Sequence, residues 1–250
     1  MYHSEPGSSH TKDGRPCQDF SLATIVATAE GDVLLAACAD GAGSAQFSSI
    51  GAELACGQLL ETISSPLQAG LIVSQISAED FSAWFRSAHE ALIAKANEIE
   101  VAPRELACTL LVAVASAGAT ACAQIGDGAI VIPDNTDYST VFWPDNGEYA
   151  NTTFFLTDPA FETHLVSRVL RGVEALAMLT DGLQRLALDF RDRRPHAPFF
   201  GPFFNALRMA DSADELVLPL RGFLNSAAVN ERTEDDKTLL IATRQTRVCA

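Results

Sequence analysis

Residues 20–40, FSLATIVATAEGDVLLAACAD, contain two apolar segments separated by the turn residues Glu30 and Gly31. Both segments are rich in branched and small apolar residues, and a short turn between two such segments predicts an antiparallel hairpin. The second segment ends directly in Asp40, and residues 44–63 then have the apolar spacing of a helix. We therefore expect the Asp40 carboxylate to lie where a buried strand ends and a helix begins.

The same arrangement occurs elsewhere in the chain. An apolar strand pattern ends at Asp181, another ends at Asp127, and Asp235 and Asp236 directly precede the last apolar segment. Taken singly, an Asp-Gly pair is an ordinary turn signal, and we predict that Asp127-Gly128 forms a hairpin turn. Carboxylates at the ends of central strands can also converge at one edge of a sandwich, so separate turns and a single site both remain open.

The other segments complete a layered fold. Ser77 and Asp80 form the pattern of a helix N-terminal capping box. We predict further helices at 77–100, 163–171, 182–190, 199–210 and 213–228, and further strands at 105–116, 119–127, 129–134, 173–181 and 237–244. Strands that follow one another in hairpins, with helices between the pairs, predict an α+β fold of one domain, 1–250. We expect a four-layer α/β/β/α sandwich, with two antiparallel sheets flanked by helices.

Composition restricts the function. The chain has 250 residues, 48% of them hydrophobic, and a net charge of −15, which argues against nucleic-acid and anionic-membrane partners but permits divalent cations. The polar N-terminus lacks the apolar core of a signal peptide, so we expect a cytoplasmic protein. Six cysteines without a C-x-x-C pair favour buried free thiols over disulfides or zinc.

Converging carboxylates would repel one another unless a cation lay between them. Mg²⁺ and Mn²⁺ prefer oxygen ligands, and two such ions about 4 Å apart can activate a water for in-line attack on a phosphoester. A glycine directly after the acid would let the backbone approach the metal without a Cβ in the way.

An ordered set of motifs resembles the metal-dependent PP2C-type serine/threonine protein phosphatases, in particular a compact bacterial branch. The set comprises the pattern G-x-S-H-x-x-x-G-x-P-C-Q-D from residue 7, then ADGAGSAQFSSIGA, IGDGAIVI, LTDGLQ and DDKTLLIA, and it extends to residue 242. The resemblance implies a β-sandwich with a binuclear Mn²⁺ or Mg²⁺ centre at one end, and a third, weaker metal site.

The resemblance also implies roles for individual residues. Asp40 matches the acid that bridges both metals, and the carbonyl of Gly41 matches a metal ligand. Asp181 and Asp235 match single-metal ligands, and Asp127 matches the acid of the weaker site. Asp19 matches an acid that hydrogen-bonds metal-bound water. Asp236 occupies a position where the family usually has Asn.

Three positions depart from the family pattern. Gln18 replaces the usual Glu, so a neutral amide stands where a charge would hold a metal-bound water. Gly128 replaces the serine of the G-D-S motif. Ala42 replaces a histidine proposed as the general acid, so His10 or a metal-bound water would have to supply that proton, although a lone histidine is often structural.

Other candidate contacts are less specific. Arg15, or alternatively Lys12, would bind the phosphate, but either could be a solvated cation. Asn151, with Trp143 and Tyr149, falls where the family has a flap near the active site, and could contact substrate or belong to a surface hairpin.

These observations lead to one main hypothesis and two alternatives. We expect a metal-dependent phosphatase that hydrolyses phosphoserine or phosphothreonine without a covalent intermediate, on a phosphoprotein substrate and opposing a Ser/Thr kinase. The departures at Gln18, Ala42 and Gly128 permit a catalytically weak phosphoprotein-binding or scaffold protein instead. A phosphatase for small phosphoesters is the third possibility.

Overall fold

A computed structural model describes residues 1–144 and 153–245, and within them two five-stranded antiparallel sheets pack face to face. The first sheet consists, in spatial order, of β2 (Phe20–Thr28), β3 (Gly31–Ala39), β4 (Leu110–Ala115), β5 (Ala119–Ile125) and β8 (Val166–Arg171). The second consists of β1 (Tyr2–Glu5), β12 (Lys237–Thr243), β9 (Ala175–Leu179), β6 (Ala129–Asp134) and β7 (Asp137–Thr140). A short pair, β10 (Leu188–Asp189) and β11 (Arg194–Pro195), lies outside both sheets.

Helices cover the outer faces of both sheets. The helices are α1 (Ser8–Asp13), α2 (Ser48–Gln68), α3 (Ala78–Glu98), α4 (Gln184–Ala187), α5 (Ala197–Met209), α6 (Val217–Leu224) and α7 (Ala227–Asn230). Apolar side chains of α2 and α3 form one core with the first sheet, and those of α5, α6 and α7 form another with the second. The predicted fold class, two antiparallel sheets flanked by helices, is confirmed.

Strand β3 shows why its sequence is continuously apolar. Leu35 and Ala37 lie in the core beneath the helices, whereas Ala36 and Cys38 lie in the layer between the two sheets. Because successive side chains of a strand point to opposite faces, a strand buried on both sides has no polar position. The continuous apolar sequence of β3 therefore follows from its burial on both faces.

The predicted capping box of α3 is confirmed. The Ser77 backbone N–H donates to Asp80 Oδ2 at 2.8 Å, and the Asp80 N–H donates back to Ser77 Oγ at 3.2 Å. Each side chain thus satisfies a donor of the first turn that has no partner within the helix.

Three of the predicted helices are wrong in whole or in part, and one of them, 213–228, is divided at residues 225–226 between α6 and α7. The segment 163–171 forms mainly the edge strand β8, because pairing with β5 satisfies its backbone. Its exposed Val166 and Val169 resemble one apolar side of a helix in the sequence. The segment 182–190 is helical only in the four residues of α4, and then enters β10.

The Asp127-Gly128 pair is not a hairpin turn. Strand β5 before it belongs to the first sheet and β6 after it belongs to the second, so the chain crosses between the layers here. Gly126, with φ +95°, permits the change of direction. The crossing carries Asp127 to the end of the sandwich.

The cysteine prediction holds for the residues that the structure describes. The thiols of Cys38, Cys56, Cys108 and Cys122 are free and buried, and that of Cys17 is free and partly exposed. In the described part of the chain, no helix combines the length and apolar character needed to span a membrane.

Candidate active site

The antiparallel pairing of four strands brings the acidic motifs to one edge of the sandwich. Strand β3 ends before Asp40 beside the start of β2, where Phe20 pairs with Ala39. Strand β9 likewise ends before Asp181 beside the start of β12, where Leu179 pairs with Leu239. Residues before β2 and β12 therefore meet residues after β3 and β9.

Three of the predicted acids form a tight cluster. Carboxylate oxygens of Asp40, Asp127 and Asp181 all lie within 4.8 Å of one another. Burial raises the pKa of Asp40 well above its usual range, and the neighbouring charges of Asp19 and Asp181 raise it further. Burial, with the charges of Asp127 and Asp235, raises the pKa of Asp181 from 3.8 to about 6. The cluster thus brings three carboxyl groups together, and none of them forms an ion pair with a cationic side chain among the described residues.

Asp235 borders this cluster from the exposed side. Its Cβ lies 3.5 Å from the position that a Cβ on Gly182 would occupy, and its charge raises the pKa of both Asp40 and Asp181. Its carboxylate is not among the three that approach within 4.8 Å. The structure therefore brings Asp235 to the same edge but not into the three-acid cluster.

Two threonines hold Asp19 behind the cluster. The hydroxyls of Thr180 and Thr238 both donate to Asp19 Oδ2, at 2.7 and 2.9 Å. Burial raises the pKa of Asp19, and these two hydrogen bonds oppose that effect. The carboxylate is thereby fixed in position, because one oxygen has two buried donors.

Asp236 joins three separate segments. Its Oδ1 accepts the Gly7 N–H at 2.6 Å, and its Oδ2 accepts the Gln18 N–H at 2.6 Å and lies 2.9 Å from His10 Nδ1. A carboxylate can accept from all of these groups, whereas an Asn amide would turn its NH₂ toward a donor. This explains why an acid replaces Asn here, and it fixes α1 and the residue before Asp19 against the start of β12.

Gln18 presents an unpaired oxygen. Its Nε2 donates to the Ala45 carbonyl at 3.2 Å, whereas the buried Oε1 has no hydrogen-bond partner among the described residues. An unpaired buried acceptor costs roughly 1–3 kcal/mol, so this oxygen is suited to a water or another donor absent from the protein.

Three other predicted residues, His10, Lys12 and Arg15, lie outside the acid cluster. His10 is buried and bound to Asp236. Arg15 is exposed, pairs with Asp13 at 3.2 Å and reaches the Gly43 carbonyl in the loop that follows Asp40. Lys12 is exposed on α1. Asn151 and Tyr149 lie outside the described residues.

Packing explains two departures from the family pattern. A Cβ on Gly128 would lie 2.6 Å from Leu111 Cδ1 and 2.9 Å from the Leu179 carbonyl oxygen, so a serine does not fit. Ala42 is buried against Ala45 and Ala107. A histidine at position 42 would have to displace that small apolar cluster.

The sequence did not identify the groups that hold the acids. Thr153 donates to Asp127 Oδ2 at 3.1 Å, and Gln184 donates to the Asp127 carbonyl at 2.5 Å. The Thr180 and Thr238 hydroxyls that hold Asp19 were also missed. Thr180 and Thr238 have one sequence signal, their position, because each is a polar residue at one end of an apolar strand and within two residues of a predicted acid.

Replacing Gly182 by Ala is expected to destabilise the protein by about 3 kcal/mol or more, because the new Cβ would lie 1.9 Å from the Asp236 carbonyl oxygen. Gly57, inside α2, is the matched control, since nothing lies within 4 Å of its Cβ position. Gly57→Ala should stabilise by up to about 1 kcal/mol through helix propensity. Urea unfolding measures both changes, and equal stabilities would contradict the close contact at Gly182.

Replacing Gln18 by Glu is expected to lower the Mn²⁺ concentration needed for half-maximal activity, because it adds a charge beside the acid cluster. The same change should destabilise the metal-free protein by about 1 kcal/mol, since the hydrogen bond from Nε2 to Ala45 is lost. Metal titrations and melts in EDTA measure the two effects. An unchanged metal requirement would indicate that residue 18 does not face the predicted metal site.

Comparisons with known proteins agree with this geometry. Residues 6–221 match the family described as Protein phosphatase 2C. Serine/threonine-protein phosphatase 3 of Escherichia coli (strain K12) is 39% identical over 247 residues, covering 97% of this chain and 96% of that protein.

Solved structures show the same fold at low identity. Serine/threonine phosphatase Stp1 from Staphylococcus aureus gives a TM-score of 0.64 at 14% identity, covering 98% of this chain and 94% of that one. The serine/threonine phosphatase of S. agalactiae gives 0.61 at 17% identity, with 98% of each chain covered. The chain therefore belongs to the protein phosphatase 2C family and is a protein phosphatase of this type, as its ordered acidic motifs predicted.

Proposed function

We propose that the protein hydrolyses phosphoserine and phosphothreonine in phosphoproteins, using a water activated at a binuclear Mn²⁺ or Mg²⁺ centre. The observation that carries the proposal is the cluster of Asp40, Asp127 and Asp181, whose carboxylate oxygens approach within 4.8 Å. Carboxylates this close are stable together only when protonated or bound to cations.

The donor set fits hard divalent cations. The cluster offers only oxygen ligands, and the unpaired Oε1 of Gln18 could accept from a metal-bound water. We propose Asp40, the Gly41 carbonyl, Asp181 and Asp235 as ligands, with Asp127 serving a third, weaker site. When bound, the ions would lower the pKa of a water and offset charge on the phosphoryl oxygens.

The protein's own groups would then orient the reactants. Asp19, which is held by two threonine hydroxyls, would accept a proton from the attacking water. Arg15, beside the loop that follows Asp40, would contact the phosphate. His10 Nδ1 is held by Asp236, and its Nε2 has no hydrogen-bond partner among the described residues, so we propose it as the proton donor to the leaving oxygen.

The most direct test of this proposal measures hydrolysis of p-nitrophenyl phosphate and of a phosphothreonine peptide across a Mn²⁺ titration, with an EDTA blank. Turnover should require metal and should be lost in Asp181→Asn. Preference for the phosphopeptide over p-nitrophenyl phosphate would support a protein substrate, which would be one phosphorylated by an opposing Ser/Thr kinase.

The same assay distinguishes the proposed phosphatase from the alternative of a phosphoprotein-binding scaffold. A folded protein that binds the phosphopeptide but shows no turnover at millimolar Mn²⁺ would overturn the catalytic proposal. Gln18 and Ala42 would then be the first positions to restore to the family residues.

A further inference from the structure

A cationic cavity lies beside the acid cluster. It has a volume of about 610 Å³, and its lining includes His164, Arg168 and Arg193. Among the described residues that line it, none is acidic. This is unusual for a chain with a net charge of −15, because most of its surface would repel an anion.

The cavity adjoins the acid cluster through two chain neighbours. Gly126 lines it and directly precedes Asp127. Phe154 also lines it and directly follows Thr153, whose hydroxyl donates to Asp127 Oδ2 at 3.1 Å. A peptide whose phosphorylated residue occupied the acid cluster could therefore extend its neighbouring residues into this cavity.

Aromatic rings orient the cationic groups. The guanidinium of Arg168 lies 5.9 Å from the Phe142 ring centre, and that of Arg193 lies 5.4 Å from the Trp143 ring centre. The His164 ring stacks on Phe154 with centroids 3.4 Å apart. Such contacts hold a guanidinium in place without neutralising it, so its N–H donors remain for a carboxylate.

Nearby acids are occupied by other groups. Glu162 pairs with Arg86 at 2.6 Å, and Asp192 pairs with Arg194 at 3.3 Å. Within residues 1–144 and 153–245, neither Arg168 nor Arg193 forms an ion pair. The cavity therefore carries positive charge that is not balanced by the described residues.

We propose that this cavity binds acidic side chains that flank the phosphorylated residue, so that the enzyme prefers phosphopeptides with neighbouring Asp or Glu. The proposal rests on the proposed phosphatase function, since the phosphorylated residue must occupy the acid cluster. Arg168 and Arg193 would provide bidentate hydrogen bonds to the substrate carboxylates.

The test compares three phosphothreonine peptides whose flanking positions are all Glu, all Gln or all Lys. Wild-type kcat/KM should be about three- to tenfold higher for the Glu peptide than for the Gln peptide, mainly through KM, and the preference should fall at high salt. In Arg168→Glu/Arg193→Glu the order should reverse, with the Lys peptide preferred.

The matched control is Arg171→Glu/Arg191→Glu. It changes the net charge by the same amount. Arg171 lies on β8, as Arg168 does, and Arg191 lies in the turn between β10 and β11, as Arg193 does. Neither Arg171 nor Arg191 lines the cavity. The control should keep the wild-type ratio of Glu to Gln peptides. Equal rates for these two peptides in the wild type, or an equal change in both double variants, would overturn the proposal.

Two further readouts separate this proposal from the phosphatase function. Metal-dependent hydrolysis of p-nitrophenyl phosphate, which carries no peptide, reports on the acid cluster alone. Fluorescence anisotropy of the labelled peptides measures binding without turnover. If nothing is hydrolysed, the proposed phosphatase function fails. The anisotropy measurements then decide alone whether the cavity recognises acidic segments. Recognition requires tighter binding of the Glu peptide than of the Gln peptide, and loss of this difference in Arg168→Glu/Arg193→Glu.

Discussion

Asp40→Asn is expected to lower kcat for p-nitrophenyl phosphate by at least about 100- to 1000-fold, while raising the melting temperature of the metal-free protein. The loss of activity is expected because Asp40 would be a ligand of the metal centre. The gain in stability follows from burial and from the charges of Asp19 and Asp181, which raise the pKa of Asp40 well above its usual range. Asn resembles the protonated carboxyl in shape and carries no charge to repel those neighbours.

A metal ligand is distinguished from a structural acid by these two results together: activity falls, whereas the stability of the metal-free protein rises. In millimolar Mn²⁺ the order of stability should invert, because the wild type gains the free energy of metal binding and the variant loses a ligand. Asp32→Asn is the matched control, since Asp32 is an exposed acid at the other end of the same strand β3. If Asp40→Asn were less stable than the wild type in EDTA as well, repulsion between Asp40 and its acidic neighbours would be contradicted.

The elements predicted correctly from the sequence are those in which the local sequence pattern and the tertiary contacts favour the same structure. The β2–β3 hairpin and helix α3 with its capping box each carry a pattern that is complete within about 25 residues. The acids after β3 and β9 could also be found, because a carboxylate directly after a buried strand is conspicuous. Nothing in spacing alone, however, shows that Asp40 and Asp181 end strands of different sheets at the same edge.

The failures arise where distant pairing determines the structure. Strand β8 contains valines at helical spacing, yet its backbone pairs with β5, so tertiary hydrogen bonds outweigh the local pattern. Asp127-Gly128 resembles a hairpin turn in every local respect. Only the assignment of β5 and β6 to different sheets makes it a crossing, and that assignment depends on contacts across the whole chain.

The polar support of the site was also invisible in the sequence. Strand β1 pairs with β12, and α1 follows it, so residues near both ends of the chain meet at Asp236. Its three hydrogen-bonding partners include Gly7 and Gln18, more than 200 positions away in the sequence. Those partners explain the departure from Asn, which the family pattern alone left without a physical reason.

In the metal-free protein, stability is expected to fall as the pH rises from about 4 to about 6, the range in which the contribution of Asp181 is lost. A carboxyl whose pKa is higher in the folded than in the unfolded chain stabilises the fold below its unfolded pKa, and that contribution is lost as the pH rises through its folded pKa. For Asp181 the pKa rises from 3.8 to about 6, so its window lies between these values and corresponds to roughly 3 kcal/mol. Burial raises the pKa of Asp19, Asp40 and Asp127 in the same direction.

Divalent cations should reverse this trend, because they bind the deprotonated carboxylates and gain affinity as the protons leave. Melting curves in EDTA and in millimolar Mn²⁺ across this pH range should therefore diverge with rising pH. Asp181→Asn isolates one group from the other titrating acids, since the difference in melting temperature between wild type and variant in EDTA removes their shared contribution. That difference should shift in favour of the variant as the pH rises from about 4 to about 6, and should then level off. A difference independent of pH would mean that folding does not raise the pKa of Asp181.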